Sequence, residues 1–66
     1  MRPVYQPTQT FLNIVAKFSN TYQFCKHYNL NPDTIDSWLG GVRNLSRANR
    51  TYIAVRMRLR ENQVAV

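Results

Sequence analysis

From Phe11 onward, apolar residues return along the chain at helical spacing. Phe11, Ile14, Val15 and Phe18 stand at i, i+3, i+4 and i+7, which lays one apolar stripe along a first helix. Thr8 or Thr10 supplies its cap. Ser19 and Asn20 end it, because their side chains compete for backbone hydrogen bonds. A short second helix is predicted over Thr21 to Tyr28, with Phe24, Cys25 and Tyr28 on one side. Asn29 follows and tolerates the left-handed backbone that closes helices. Leu30 is then a single apolar residue in a tight turn.

The third helix has a clear beginning. Asn31 is a good N-cap, Pro32 fits the first helical position, and Asp33 sits where the helix dipole favours negative charge. Ile35, Trp38 and Leu39 form its inner face, and Gly40 and Gly41 stop it.

The last segment, Val42 to Val66, supports two patterns. As a helix from Ser46, it gathers Leu45, Ala48, Tyr52, Val55 and Leu59 within about 80° of arc. Ile53 and Met57 make a smaller patch beside that stripe. As a strand, Ile53, Val55, Met57 and Leu59 alternate with Ala54, Arg56, Arg58 and Arg60. The helix is favoured. It runs about 15 residues without Gly or Pro, and a strand of that length lacks a tight hairpin turn. Residues 1–9 hold two prolines and no helical period, so they read as an extended arm. Arg2 on that arm is placed to touch a phosphate or a groove; a frayed terminus is the alternative.

The expected fold is all-α, a compact bundle of about four helices in one domain spanning 1–66. An α+β arrangement, three helices plus a C-terminal strand or hairpin, is the alternative. The expected core is Phe11, Ile14, Val15, Phe18, Phe24, Cys25, Tyr28, Leu30, Ile35, Trp38, Leu39, Tyr52 and Val55.

Sixty-six residues bury only about 60% of the unfolded chain's surface, which makes such a domain marginal. A deep substrate pocket beside a core is hard to build at this size, which lowers the prospect of an enzyme. Nine Lys and Arg, seven of them Arg, face three acids for a net charge of +6. That excess favours a polyanionic partner, nucleic acid or an anionic membrane surface. Cys25 stands alone, so no internal disulfide forms and a reducing cytosol is expected. No leader-like apolar run and no stretch of about 20 apolar residues is present. His27 and Cys25 alone do not make a metal site. No nucleophile–base pair and no glycine-rich phosphate cradle is legible. No metal, cofactor or small-molecule ligand is expected.

Set Thr21 as position one of the window TYQFCKHYNLNPDTIDSWLG, residues 21–40. Phe24, Tyr28, Leu30, Ile35 and Trp38 then fall at four, eight, ten, fifteen and eighteen. Small Cys25 is at five and Asn29 at nine. This resembles the helix-turn-helix pattern of the lambda repressor and Cro superfamily. There the same positions are apolar, position five is small where the helices cross, and position nine is usually glycine. Cys25 and Asn29 are mild departures. The match is close over 21–40 and loose over 10–60.

The resemblance implies a cytoplasmic transcription regulator, commonly a repressor, from a phage, plasmid or bacterial setting. It implies a homodimer on a palindromic operator with half-sites about one helical turn apart. Thr21 and Tyr22 stand where family members touch phosphate. Asn31, Asp33, Thr34, Asp36 and Ser37 lie on the outer side of the recognition helix. Ser37 can donate or accept at a base edge, and Asp33 or Asp36 can accept from a cytosine amino group. Asp33 has an alternative role as a helix-start charge. The recognition helix is poor in cations, so Arg43, Arg47 and Arg50, with Asn44, are the candidate phosphate or flanking contacts. A solvated charged face is the alternative. Arg56, Arg58 and Arg60 suit DNA, dimer pairing with Glu61, or solubility equally. The basic segment 45–66 is expected to dimerise, through Ile53, Met57, Leu59 and the tail Val64 to Val66. Rival functions are an architectural, excisionase-like DNA binder, a protein-binding inhibitor module, and a cationic membrane-surface peptide. The capped, punctuated helices argue against the last.

Overall fold

The computed structural model describes residues 4–66, so the expectation for Arg2 lies outside the described residues. Among the described residues five helices follow one another: α1 (Gln9–Val15), α2 (Thr21–Tyr28), α3 (Pro32–Leu39), α4 (Arg47–Met57) and α5 (Glu61–Val64). The fold is a compact all-α bundle. The strand alternative fails at Arg47–Met57, which is helical.

Helix starts are set by side chains. The Phe11 amide donates to Thr8 Oγ1 at 3.1 Å, the Gln23 amide to Asn20 Oδ1 at 2.9 Å, the Asp33 amide to Asn31 Oδ1 at 2.9 Å, and the Asn49 amide to Ser46 Oγ at 3.1 Å. Each cap is worth about 1 kcal/mol.

Three helix ends share one closure. Beyond α2 the Leu30 amide donates to the Cys25 carbonyl, beyond α3 the Val42 amide to the Ser37 carbonyl, and beyond α4 the Leu59 amide to the Ala54 carbonyl, all at 2.8–2.9 Å. The residue before each donor is left-handed: Asn29 (φ 56°), Gly41 (φ 77°) and Arg58 (φ 58°). Glycine and asparagine suit that conformation; arginine pays about 1–2 kcal/mol for it.

Phe11, Phe24 and Trp38 centre the core. The Phe11 ring meets Phe24 edge-on at 5.5 Å and Trp38 at 5.3 Å. Tyr5, Cys25, Leu30, Ile35, Leu45, Ile53, Ala54, Met57, Val64 and Ala65 complete it, with Ile14, Val15, Phe18, Tyr28, Leu39 and Leu59 half-buried against it.

Residues 5–8 are docked rather than frayed. Gln6 and Val66 exchange both backbone hydrogen bonds, at 2.7 and 3.0 Å, and the Thr8 amide donates to the Val64 carbonyl at 3.1 Å. Tyr5 is buried, and its carbonyl accepts from Trp38 Nε1 at 3.0 Å.

Two expected core residues lie outside. Tyr52 is 48% and Val55 69% exposed, while Ile53, Ala54 and Met57 face inward. The rotation of α4 follows from its limits. Leu45 is buried, but it precedes the Ser46 cap and is not held to the helical phase. Leu59 follows the Arg58 closure and is off the helix as well. Without those two, the stripe keeps only Ala48, Val55 and the hydroxyl-bearing Tyr52, and the wholly non-polar side chains of Ile53, Ala54 and Met57 are the ones buried.

The same rotation corrects part of the expected dimer surface. Ile53 (2% exposed), Met57 (8%) and Val64 (0%) are core residues of the folded single chain and offer no outer surface for a second copy to dock against. Leu59 is half-buried, and Val66 is exposed at the edge of the terminal pairing.

Candidate nucleic-acid interface

The turn 29–31 joins α2 to α3, and the two helices pack directly on each other. Cys25 is fully buried where they meet, which explains why a small residue stands there. Burial pushes its thiol pKa up, and the negative charge of Asp36 adds to the effect. Asp36 therefore lies close to the junction of the two helices.

The expected contact residues separate into three groups. Thr21 and Tyr22 from the start of α2 come together with Asp33 and Asp36 of α3. With Asn20 and Pro32 they line an open cleft of about 350 Å³ between the two helix starts. Tyr22 is 58% exposed there, and both carboxylates are exposed. Ser37 is half-buried; at 100° per residue it lies on the same outer side of α3 as Asp33.

Asn31 and Thr34 belong elsewhere. They line a shallow hollow with Leu30, Ile35 and, from α4, Asn49, Tyr52 and Ile53. Asn31 also spends its side-chain oxygen on the α3 cap.

The basic group is divided. Arg43 is exposed; its amide donates to the Ser37 carbonyl at 3.2 Å, its guanidinium has no partner among the described residues, and it lines a hollow with Val4, Trp38, Gly41 and Asn44. Asn44 Oδ1 accepts from the Tyr5 amide at 3.1 Å and so anchors the N-terminal segment. Arg47 is exposed and hydrogen-bonds the Tyr5 hydroxyl. Arg50 is largely enclosed. Its Nε–H donates to the carbonyls of Ala65 (3.1 Å) and Glu61 (3.3 Å), its guanidinium sits 4.7 Å from the Tyr5 ring centre, and it pairs with the Glu61 carboxylate at 3.7 Å. Arg50 binds the termini to α4. These contacts give Arg50 a structural role at the junction of α4 with both end segments.

Tyr5 is the residue the sequence pattern missed. The hydrogen bond from Arg47, helped by the charges of Arg47 and Arg50, lowers its pKa below the usual 10.0 despite opposing desolvation. The one available signal was an aromatic between two prolines in an otherwise polar arm.

Arg56, left open among several roles, donates from Nε to the Tyr28 carbonyl at 3.1 Å. Arg58 and Arg60 are exposed at the α4–α5 junction. His27 is exposed and packs its ring 5.2 Å from Phe18 and 4.7 Å from Tyr28. Among the described residues no group of metal ligands converges, and no helix is long and apolar enough to cross a membrane. The chain matches no protein-family model, no characterised protein and no solved structure.

Proposed function

We propose that the chain is a sequence-selective binder of double-stranded DNA that places α3 in the major groove. The observation that carries this reading is the pair α2–α3: two capped eight-residue helices joined through left-handed Asn29, with a small buried Cys25 where they meet and one polar outer face. The net charge of +6 supplies the long-range attraction.

Asp33, Asp36 and Ser37 are the base-reading candidates. An acceptor carboxylate suits the cytosine amino group and is repelled by phosphate. The readout surface is therefore selective rather than adhesive. Thr21 and Tyr22 position α2 at the backbone, and Arg43 contributes the grip. In this reading the chain acts in the cytoplasm as a homodimeric repressor of phage, plasmid or bacterial type, without cofactor or catalytic chemistry.

The test is selection of bound duplexes from a random pool. Enrichment of an inverted repeat with half-sites about one helical turn apart supports the reading. Enrichment of bent or flexible DNA without a base consensus favours an architectural role instead, and no enrichment removes the DNA reading.

A second reading has its own support. Ala48, Tyr52 and Val55 are exposed at i, i+4 and i+7 on the outside of α4. That apolar stripe suits a protein-binding module, and binding that is insensitive to salt would distinguish it.

A further inference from the structure

We infer that the chain dimerises by exchanging its C-terminal segment, residues 59–66, between two copies, with Arg58 as the hinge. This rests on the homodimer of the proposed reading and not on its DNA contacts.

The starting point is a conflict between local preference and observed backbone. Residues 46–66 contain no Gly or Pro, and Arg58, Leu59 and Arg60 are all strong helix formers. Yet the helix breaks there, with Arg58 left-handed at φ 58° and ψ 43°. The two equivalent closures use residues that fit, Asn29 and Gly41. Only the third forces an arginine into that geometry. Short strained hinges of this kind favour exchange of the element beyond them.

What holds the break shut lies almost wholly beyond it. Val64 and Ala65 are fully buried. Glu61 accepts from the Thr51 hydroxyl at 2.6 Å and pairs with Arg50. Arg50 also takes the Ala65 carbonyl, and Gln6 pairs with Val66. Every one of these contacts joins the segment to the rest of the fold, and none is internal to the hinge. Each is available unchanged when the segment comes from a second copy. Extending α4 through Arg58–Arg60 then removes the left-handed arginine and adds helical hydrogen bonds. In return the hinge gives up the closure bond from the Leu59 amide to the Ala54 carbonyl, the 3.3 Å bond from the Arg58 amide to the Val55 carbonyl, and the reciprocal Arg60–Gln63 bonds that start α5. The partner is a second copy of this chain, and the occupant of each core is its residues 59–66.

The test joins the two ends of the pairing covalently. Gln6 and Val66 are both exposed and exchange both backbone bonds, a spacing of about 5.5 Å between Cα atoms that a disulfide spans. The double variant Gln6→Cys/Val66→Cys is separated by size at high concentration, and each fraction is oxidised and run on a non-reducing gel. Wild-type chain, with its buried Cys25, runs alongside as the control. The expected result is a covalent dimer from the dimer fraction and a closed monomer from the monomer fraction. Arg58→Gly, which relieves the left-handed hinge in the closed form, is expected to weaken dimerisation about tenfold per hinge while circular dichroism stays native. Arg58→Ala keeps both the penalty and the helix preference and is expected to dimerise like wild type. A dimer fraction that yields only closed monomers overturns the exchange and leaves the homodimer standing. A chain that stays monomeric at every concentration overturns both, and DNA binding by that monomer would still be measured separately.

Discussion

Arg56 reaches from α4 to the last residue of α2, where its Nε–H donates to the Tyr28 carbonyl at 3.1 Å. One turn earlier the Tyr52 hydroxyl donates to the Asn29 carbonyl at 3.4 Å. These are carbonyls that a helix end leaves without an intrahelical partner. The outer edge of α4 thereby fixes the turn that sets α3 against α2. Arg56→Ala is expected to cost about 1 kcal/mol, seen as a lower urea midpoint with an unchanged slope. An unchanged midpoint would show that the contact does not hold the turn.

Arg50 and Arg43 should separate stability from binding. Arg50 is enclosed and holds two carbonyls, a carboxylate and an aromatic face. Arg50→Ala is expected to lower stability by about 2 kcal/mol. Arg43→Ala leaves the fold intact, weakens binding to every duplex sequence alike and flattens its salt dependence by about one phosphate contact. Equal thermal melting of the two variants would refute the division.

Val64 decides between core and surface. It is fully buried against the rest of its own fold. Val64→Ala is expected to destabilise by about 2 kcal/mol through lost burial and the residual cavity. Val66→Ala, at an exposed position, is expected to stay within about 0.5 kcal/mol. Similar melting of the two variants would remove Val64 from the core.

Tyr5 and Cys25 give opposite pH slopes. The Tyr5 pKa is lowered, so approaching 10.0 the unfolded chain holds more protons at this site and its contribution to stability rises with pH. The Cys25 pKa is raised, so above 9.0 the folded chain holds more protons and stability falls. In ultraviolet titration one of the four tyrosines is expected to ionise below 10.0. Tyr5→Phe should abolish that component and Arg47→Ala should move it upward. A component unmoved by Arg47→Ala would place its cause elsewhere.

The helix starts up to α3 were legible because their signals are local, whereas α1 ends at Val15, short of the stop expected at Ser19 and Asn20. Thr8 and Asn31 cap by reaching amides two or three residues on, and Asn29 turns left-handed through its own backbone. The phase of α4 was not legible. It depends on where the helix stops, and Arg58 carries no stop signal in its residue type. The docking of Tyr5 was equally hidden, because Trp38, Asn44 and Arg50 are distant in sequence. Of the candidate site, the outer side of α3 was readable from its 100° period, whereas the capture of Arg47 and Arg50 by the N-terminal segment was a tertiary fact.

The most direct test of the DNA-binding proposal is amide NMR during titration with the duplex enriched by site selection. The account predicts shifts at Tyr22, Asp33, Asp36, Ser37 and Arg43, with Tyr52 and Val55 on the outer face of α4 undisturbed. Shifts centred on Ala48, Tyr52 and Val55, with the α3 face silent, would contradict it.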